Sequence, residues 1–571
     1  MNRGAHDALR GNPYEDSTLP PLERHKLAKT FMLPISDGVQ LYGPEVLIVD
    51  TPEFQRLAGI KQLGTSYLVF RGARHTRYEH SIGTLHRAEQ MVQALLDNPR
   101  GPHIARITPA IRRIARLACL LHDLPHIPFG HTFEDEFGLL PRHDANHGRL
   151  AELLLDSEIG ALLRESLPLA EYELLIEVLT AKNDEAVAEL TMDGQGCGFL
   201  ADIVGNTLCA DLLDYVPRDL AACGMSASVG QHFLRYLTIT PEVLPERAHQ
   251  NRLALAIEKR GMPRPDVESE VIKLLTHRYE LAERVYFHHA KNAASVMLGR
   301  AVVDAGLVEL ESDEPETWDQ NFWWLSDDLL LQVLAHPRAM SRLLDHPLHL
   351  APRSPKQLRR AAELAVAVSR RQLYKPVYLA VSDDLVHRAV DLHKKYGEQP
   401  RARVELENHL SALAGCREGE VLIHLPRPKM MTKVAEVRVM LSDGTVHTLD
   451  EWDRRHSGRV AALNTAHERL WRVAVYLHPD RERESRAVRL VQAAAQHFFG
   501  TASRLRVQRR EAYREAVWDE MAPQYQWSSE FRDDVINTAA AYAPEQRLET
   551  VVAEMKQRVK ELQRERGTAQ I

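Results

Sequence analysis

The stretch IRRIARLACLLHDLPHIPFGH, residues 111–131, runs from an apolar helical pattern into a dense group of histidines. Ile111, Ile114, Ala118 and Leu121 keep the spacing of one helix face, so residues 111–121 predict a packed helix. His122 and Asp123 follow at its end. Adjacent helical side chains diverge by about 100°. They can still reach one ion if the end of the helix is aimed at it.

Histidine is concentrated around this stretch. The chain has 28 histidines, and those between residues 71 and 147 are His75, His80, His86, His103, His122, His126, His131, His143 and His147. An adjacent His-Asp pair by itself is common and usually structural. The number of imidazoles beside an aspartate favours a metal site instead, and imidazole with carboxylate suits Fe, Mn, Zn, Co or Ni rather than Ca.

A second acidic group lies downstream, in the sequence DLLDYVPRD of residues 211–219. Asp211 and Tyr215 share a helix face at this spacing, although the stretch alone would pass for a solvated face. Taken with residues 111–131, it predicts a metal site built from two helices.

Helical patterning extends over most of the chain and predicts a mostly α fold. The patterned ranges are 82–95, 111–121, 150–163, 171–180, 203–216, 270–300, 328–344, 458–478, 483–498 and 545–565. Residues 421–425 and 434–449 alternate as strands do, with Asp443-Gly444 as a hairpin turn, and Asp37-Gly38 indicates a small N-terminal hairpin. We therefore expect an arm with a hairpin over 1–45, a helical domain over 46–345, and an α/β region over 346–571 that ends in a charged helical tail.

Bulk composition limits the class of protein. The 72 basic and 79 acidic residues give a net charge of −7, which does not indicate nucleic-acid binding, although a local basic patch stays open. No apolar run is long enough for a membrane helix, and residues 1–10 do not resemble a secretory signal. Five cysteines without CxxC spacing indicate reduced thiols. We expect a cytoplasmic protein without membrane contact.

A wider set of motifs carries a family resemblance. The motifs are TPEFQRL at 51–57, IKQLG at 60–64, HTRYEHSIG at 75–83, LLHDL at 120–124, PFGH at 128–131 and the segment 211–219. In this order they resemble the HD superfamily of metal-dependent phosphohydrolases, and in particular the SAM-and-HD-domain branch of the deoxynucleoside triphosphate (dNTP) triphosphohydrolases. The resemblance runs from about residue 36 to residue 300. It implies an HD-domain helical core as the catalytic domain over 46–345, with the smaller mixed α/β region after it.

The resemblance implies metal ligands at His80, His122, Asp123 and Asp211. Two imidazoles and two carboxylates leave coordination positions open for water and a phosphate oxygen. The implied cofactor is a divalent transition metal, Fe, Mn or Zn, with Mg as a candidate companion of the substrate phosphates.

Catalytic residues are implied at His126, His131, Glu134 and His147. The three histidines would line the phosphates, and a protonated one would assist departure of the 5′-oxygen after attack on the α-phosphorus. Glu134 stands where the family has an aspartate that orients this histidine. His143 lies close enough to exchange places with His147.

Substrate contacts are implied on the sugar and phosphate sides. They involve Gln62, Leu63, Arg77, Tyr215, Asp219, Arg278 and Tyr286. The arginines would bind phosphate through their planar forks, and the tyrosines and Asp219 would surround the deoxyribose. An aromatic ring under the 2′-carbon would exclude ribose.

The expected reaction is hydrolysis of dNTPs to deoxynucleoside and triphosphate by a homo-oligomer, as dimer, tetramer or hexamer. A dNTP as allosteric activator also stays open, with the basic run between Arg353 and Lys375 as one candidate site. Two alternatives stay open, the first because of departures from the family such as Pro125 and Phe287. One is an HD phosphodiesterase or nuclease acting on cyclic, modified or polymeric nucleotides. The other is a nucleotide-sensing module without turnover.

Overall fold

The computed structural model describes residues 11–505 except for 17–18, 20–21, 99–106, 143–148, 182, 227–229, 309, 311–321, 345–347, 386–387, 429–436 and 483–484, together with residues 553, 556, 557 and 560. His143 and His147 lie outside the described residues, as does nearly all of the predicted helix over 545–565.

Helices make up most of the described chain, which confirms the mostly α prediction. The longer helices are α1 (Arg77–Asp97), α2 (Pro109–Leu121), α3 (Arg149–Asp156), α4 (Glu158–Ser166), α5 (Leu169–Thr180), α6 (Ala210–Ala222), α7 (Pro265–Leu281), α8 (His289–Ala305), α9 (Asp327–Ala335), α10 (Pro355–Ser369), α11 (Pro400–Leu413), α12 (Leu449–His456), α13 (Arg459–Glu468) and α14 (Ser485–Phe499). Shorter helices include Pro44–Val49, Pro52–Gln55, Arg56–Gly59, Gly64–Leu68, Asp184–Glu189, Phe199–Gly205 and Pro337–Leu343. Three single π-helical turns are Thr132–Glu136, Ala282–Tyr286 and His393–Gly397.

Local sequence explains where the central helices begin. Thr76 and Glu79 form a capping box at the start of α1. The Thr108 side chain accepts the Ile111 N–H, and Pro109 occupies the first position of α2, where no N–H is needed. Between Ile111 and Leu121 every side chain of α2 is buried, so this helix forms the middle of the core.

The strands form small sheets. They are β1 (Ala28–Leu33), β2 (Asp37–Tyr42), β3 (Thr191–Met192), β4 (Gln195–Gly196), β5 (Leu237–Ile239), β6 (Leu253–Ala256), β7 (Glu258–Lys259), β8 (Met262–Pro263), β9 (Lys375–Val381), β10 (Val421–His424), β11 (Arg438–Met440), β12 (Val446–Thr448) and β13 (Arg472–Leu477). β1 and β2 form the predicted N-terminal hairpin, with Asp37 at the start of β2. β11 and β12 pair antiparallel, as the Asp443-Gly444 turn predicts, and β11 continues through β6 to β5.

Several predicted helical ranges are wrong in detail. The structure divides 150–163 at Ser157, 270–300 at Phe287–His288 and 328–344 at His336. The range 203–216 contains a break, because Cys209 caps a new helix at α6. The range 458–478 is helical only through Glu468; Arg472–Leu477 is instead the strand β13. The sequence RVAVYL is rich in β-branched residues and almost wholly buried, and such a continuous apolar run fits an interior strand as well as a helix.

The chain forms two compact units that interleave along the sequence. The larger unit comprises 1–373, 381–404 and 424–473, and the smaller comprises 374–380, 405–423 and 474–571. The larger unit holds α1 to α10 and the sheet β12-β11-β6-β5. The smaller holds α14 and most of the sheet β10-β13-β9. This is a different division from the predicted boundaries at residues 45 and 345, which stay a prediction. Among the described residues, none of the helices combines the length and apolarity needed to cross a bilayer.

Candidate functional site

Three helices of the larger unit bring the predicted metal ligands together. His80 lies on α1, His122 and Asp123 follow α2, and Asp211 lies in the first turn of α6. One ligand atom each of His80, His122 and Asp123 lies within 4.8 Å of the others. The Asp211 Oδ1 atom is 3.1 Å from His80 Nε2 and 3.8 Å from His122 Nε2. These four side chains therefore converge on one place.

His80 is held by a buried carboxylate on its far side. Its Nδ1–H donates to Asp214 Oδ2 at 2.9 Å, and Arg218 binds the same carboxylate through two N–H groups at 2.8 and 2.7 Å. A side chain at Gly83 would place its Cβ 2.1 Å from Asp214 Oδ1, so only glycine allows this approach. Histidine ligands of metals commonly carry such a second carboxylate, which fixes the ring and its tautomer.

The electrostatics of His80 favour a cation at its Nε2 side. Burial lowers the pKa of His80, but hydrogen bonds with Asp211 and Asp214 outweigh it and raise that pKa to about 10. Burial raises the pKa of Asp211, but contacts with His122 and His80 hold it well below its usual range. The surrounding carboxylates thus stabilise positive charge where their oxygens meet.

His122 presents a nitrogen that needs a ligand. Its Nδ1–H donates to the Cys119 carbonyl at 2.8 Å, which leaves Nε2 as the acceptor nitrogen. Among the described residues this buried Nε2 has no hydrogen-bond partner, and it lies 3.6 Å from Asp123 Oδ1. Two imidazole nitrogens and two carboxylates fit a divalent transition metal better than calcium, which prefers oxygen ligands. The side chains present therefore fit the implied metal, although its identity is not fixed by them.

Asp123 connects the ligand set to Arg77 and His126. Arg77 Nη1 donates to Asp123 Oδ2 at 2.6 Å, and His126 Nε2 lies 3.0 Å from Asp123 Oδ1. Burial raises the pKa of Asp123, but Arg77, His126 and His122 together hold it well below its usual range. Arg77 is 2% exposed, and its bond to Asp123 places its guanidinium directly beside the predicted ligands.

A sharp loop carries the chain from Asp123 to His131. Phe129 and Gly130 adopt φ of 59° and 51°, the left-handed region that side-chain-bearing residues rarely enter. Glycine at position 130 also avoids a close contact, because a Cβ there would lie 2.8 Å from Arg77 Nη2. The loop brings the His131 ring to 5.0 Å from the His126 ring, edge to face.

The carboxylate nearest His131 is Asp135. His131 Nδ1 lies 2.9 Å from Asp135 Oδ2 and 3.9 Å from Glu134 Oε2. Glu134 is bonded elsewhere, since Arg149 Nη2 donates to its Oε1 at 2.5 Å. Burial lowers the pKa of His131, but its bond with Asp135 raises it overall. The role of Glu134 as orienting residue stays a prediction, and this geometry favours its neighbour.

The predicted sugar contacts gather around Asp219. Its two oxygens accept from His75 Nε2 at 2.8 Å and from the Tyr286 hydroxyl at 3.0 Å. Burial and the charge of Asp219 raise the pKa of Tyr286 well above its usual value. Tyr215 and Arg278 interact electrostatically with one another here, and Arg278 also interacts with Tyr286.

Gln62 and Leu63 lie in the segment that joins Lys61 to the short helix Gly64–Leu68. Leu63 is 8% exposed, and among the described residues the buried Gln62 Oε1 has no hydrogen-bond partner. The Gln62 backbone N–H donates to the His75 carbonyl at 3.0 Å. This bond connects Gln62 to His75, whose side chain is hydrogen-bonded to Asp219.

Sequence reasoning missed Asp214, Asp135 and His75. Asp214 lies one helical turn after Asp211, a spacing that points to a related face. Asp135 adjoins Glu134 inside a π-helical turn, whose register shift cannot be read from a 3.6-residue pattern. His75 was one of many histidines, and nothing local marks it as the partner of Asp219.

Family comparisons agree with this geometry. A model of the HD domain matches residues 77–193, and a model of the HD associated region matches residues 326–510. The first match covers His80, His122 and Asp123. The chain contains an HD domain followed by an HD associated region, and the resemblance to the HD superfamily is confirmed.

Several curated proteins are similar in sequence. "Uncharacterized protein YwfO" of Bacillus subtilis is 32% identical over 44% of this chain and 49% of its own length. "Deoxynucleoside triphosphate triphosphohydrolase SAMHD1" is 27% identical in Gallus gallus, over 61% of this chain and 56% of that protein, and 28% identical in Homo sapiens, over 48% and 44%. The chain thus spans about half the length of the curated relatives it matches.

A solved structure is similar in fold. The crystal structure of a hypothetical protein from Aquifex aeolicus aligns with a TM-score of 0.54 and 21% identity, covering 81% of this chain and all of that one. At this identity the likeness concerns the fold alone.

Proposed function

We propose that this HD-domain chain is a metal-dependent hydrolase that converts dNTPs to deoxynucleoside and triphosphate. The observation that carries the proposal is the convergence of His80, His122, Asp123 and Asp211. The His122 Nε2 atom, which has no hydrogen-bond partner within the described part of the chain, faces the carboxylates of Asp123 and Asp211. The similarity to proteins named as dNTP triphosphohydrolases supports the substrate class.

His80, His122, Asp123 and Asp211 would hold the metal. When bound, a divalent transition metal supplies Lewis acidity, which polarises a phosphoryl oxygen and makes water a better nucleophile near neutral pH. Arg77, which donates to Asp123, has further N–H groups in a planar fork that matches phosphate oxygens. We assign it to the phosphate chain.

His131 is the proposed proton donor to the 5′-oxygen. Asp135 raises its pKa, so His131 stays protonated to higher pH than a free imidazole. Its side chain is 42% exposed, whereas His126 is 1% exposed and directed at Asp123. We therefore assign proton donation to His131 and phosphate contact to His126. His147 stays a prediction for the phosphate side.

Asp219 and Tyr286 are the proposed sugar-binding pair. Asp219 accepts two hydrogen bonds within the protein and has lone pairs left for a sugar 3′-hydroxyl. The Tyr286 ring, fixed by its hydroxyl bond to Asp219, would pack under the 2′-carbon and leave no space for a ribose hydroxyl. Tyr215, Arg278, Gln62 and Leu63 complete the proposed substrate contacts.

A substrate panel tests this function. Purified chain with Mn²⁺ or Fe²⁺ is incubated with the four dNTPs together, the four NTPs, a cyclic dinucleotide and a labelled oligonucleotide. We expect consumption of dNTPs only. Consumption of cyclic or polymeric substrates alone would indicate a phosphodiesterase or nuclease, and dNTP binding without turnover would indicate a sensor. Either result would contradict the proposal.

The dNTPs are supplied as a mixture because one of them can serve as activator of another. We further propose that the active species is a homo-oligomer, as the family resemblance implies. Light scattering of fully active protein checks this, since the monomer mass is 64.8 kDa. A mass of one chain for active protein would contradict it.

A further inference from the structure

A buried aspartate outside the proposed catalytic set connects two segments that border the site. Asp327 is the first residue of α9 and is 0% exposed. Its Oδ1 accepts the Phe129 backbone N–H at 2.7 Å, and its Oδ2 accepts the Lys61 backbone N–H at 3.0 Å. Phe129 belongs to the loop between His126 and His131, and Lys61 precedes Gln62. One carboxylate therefore bonds the phosphate-side loop and the sugar-side segment at once.

The position of the bond on the loop matters. Phe129 adopts a left-handed φ of 59°, a conformation that persists in a residue with a side chain only where its surroundings hold it. An ionised acceptor makes a stronger hydrogen bond to a backbone N–H than a neutral one does. Lys61 Nζ, 3.5 Å from Asp327 Oδ2, supplies a nearby positive charge.

Two neighbours of Asp327 make further contacts around the same loop. The Trp323 ring lies 3.3 Å below the Arg56 guanidinium, whose Nη2 donates to the Leu124 carbonyl at 2.6 Å. The Phe322 ring packs 5.7 Å from the Phe133 ring. We call residues 322–327 the loop brace. It contacts the loop directly at Phe129, reaches Leu124 at the beginning of the loop through Arg56, and packs on Phe133 just after its end.

The brace also has a close fit on the sugar side. A Cβ at Gly59 would lie 2.7 Å from the Ser326 Cβ, so the backbone before Lys61 is packed directly against the residue before Asp327. This contact can rearrange little, because Ser326 Cβ is attached directly to the backbone and is not the flexible end of a side chain. The brace thus contacts both segments.

We propose that Asp327 is a positioning residue, which holds Gln62 and Leu63 at a fixed distance from His126 and His131 for the hydrolysis proposed above. The inference rests on the proposed function only for its kinetic consequence. Two hydrogen bonds support the structural part of the proposal, which is that Asp327 keeps both backbone segments in place.

The test compares Asp327→Asn with Asp328→Asn. In the first variant the amide presents an NH₂ group in place of one carboxylate oxygen, so one backbone N–H loses its acceptor. Asp328 is the matched control, because its exposed carboxylate pairs with the same Lys61 ammonium at 3.3 Å but accepts neither backbone N–H. Trp323→Leu, which removes the ring under Arg56, is the second test variant and stands in if Asp327→Asn does not fold.

Hydrogen exchange is the first readout. In Asp327→Asn we expect peptides that contain Lys61 or Phe129 to exchange about ten-fold faster, with α2 unchanged, since a backbone amide that loses its bond opens more often. Asp328→Asn should match the wild type. Unchanged exchange at both amides in Asp327→Asn would overturn the proposal, whatever substrate the enzyme uses.

Kinetics with the dNTP mixture is the second readout. A displacement of about 1 Å at reacting groups can cost on the order of 10²-fold in rate. Because Asp327 contacts both segments, we expect kcat to fall 10- to 100-fold with a higher KM, roughly within that range. Loss of folded protein alone would lower the apparent kcat with KM unchanged, and that result would count against positioning. If Asp327→Asn exchanges faster at these amides while the wild-type protein leaves dNTPs intact, the proposed function is overturned and the brace is retained.

Discussion

The metal side and the phosphate side of the site are built differently. His80 and Asp211 lie within long helices, and His122 and Asp123 lie at the end of one. On the phosphate side, His126 and His131 lie on an irregular loop whose Phe129 N–H donates to Asp327, 198 residues away in sequence. Local sequence therefore predicts the helices that carry the proposed metal ligands, whereas the phosphate-side loop makes a long-range hydrogen bond that no local pattern indicates. Variants that change residues on one side at a time test this difference.

The largest effect is expected on the metal side. His122→Ala combined with Asp123→Ala removes two ligands, and we expect loss of the bound metal and of all detectable hydrolysis. Elemental analysis and the dNTP assay measure both. Circular dichroism should show retained helix content, because α2 is held by its apolar contacts. Full metal occupancy in the double variant would refute the ligand assignment.

The next effect belongs to the phosphate side. His131→Ala removes the proposed proton donor, and such a loss typically costs roughly 10²- to 10⁴-fold in rate. Metal content should stay near that of the wild type, since His131 is no ligand. His126→Ala should also lower the rate with metal retained. Normal turnover in the His131 variant would exclude it as the acid.

We expect a smaller effect from changing a residue that orients a predicted metal ligand than from removing the ligand. Asp214→Asn weakens the hydrogen bond that orients His80, and loss of such support typically lowers metal affinity about 10- to 100-fold. Asp202→Asn is a suitable control, because Asp202 is also a buried carboxylate bound twice by one arginine, Arg252, away from the ligands. Metal titration followed by spectroscopy separates them. Equal affinities in the two variants would mean that Asp214 is only structural.

We expect the smallest effect from variants of two adjacent carboxylates, Asp135 and Glu134. Asp135→Asn should lower the rate about ten-fold, at the low end for loss of support to a proton donor. It should also shift the alkaline limb of the pH profile to lower pH. The sign follows because Asp135 raises the pKa of His131, so its removal lets the ring lose its proton earlier. Glu134→Gln should leave that limb in place. The reverse pattern would restore Glu134 as the orienting residue.

The difference between the two sides also explains what the sequence could predict. Periodicity identified α2, and the motifs predicted four metal ligands, whose side chains the structure brings close together. The bonds of Asp135 and Asp327 could not be read in this way. Asp135 lies in a π-helical turn, and Asp327 acts across a large sequence separation through backbone N–H groups that leave no side-chain signature. The strand β13 was missed because a short buried apolar run fits either structure.

In the proposed reaction, water attacks the α-phosphorus and the deoxyribose 5′-oxygen departs. Hydrolysis of a dNTP mixture in H₂¹⁸O, followed by ion-exchange chromatography and mass spectrometry, tests it directly. We expect tripolyphosphate that carries one ¹⁸O, together with unlabelled deoxynucleoside. Pyrophosphate with a labelled monophosphate, labelled orthophosphate, or ¹⁸O in the deoxynucleoside would contradict it.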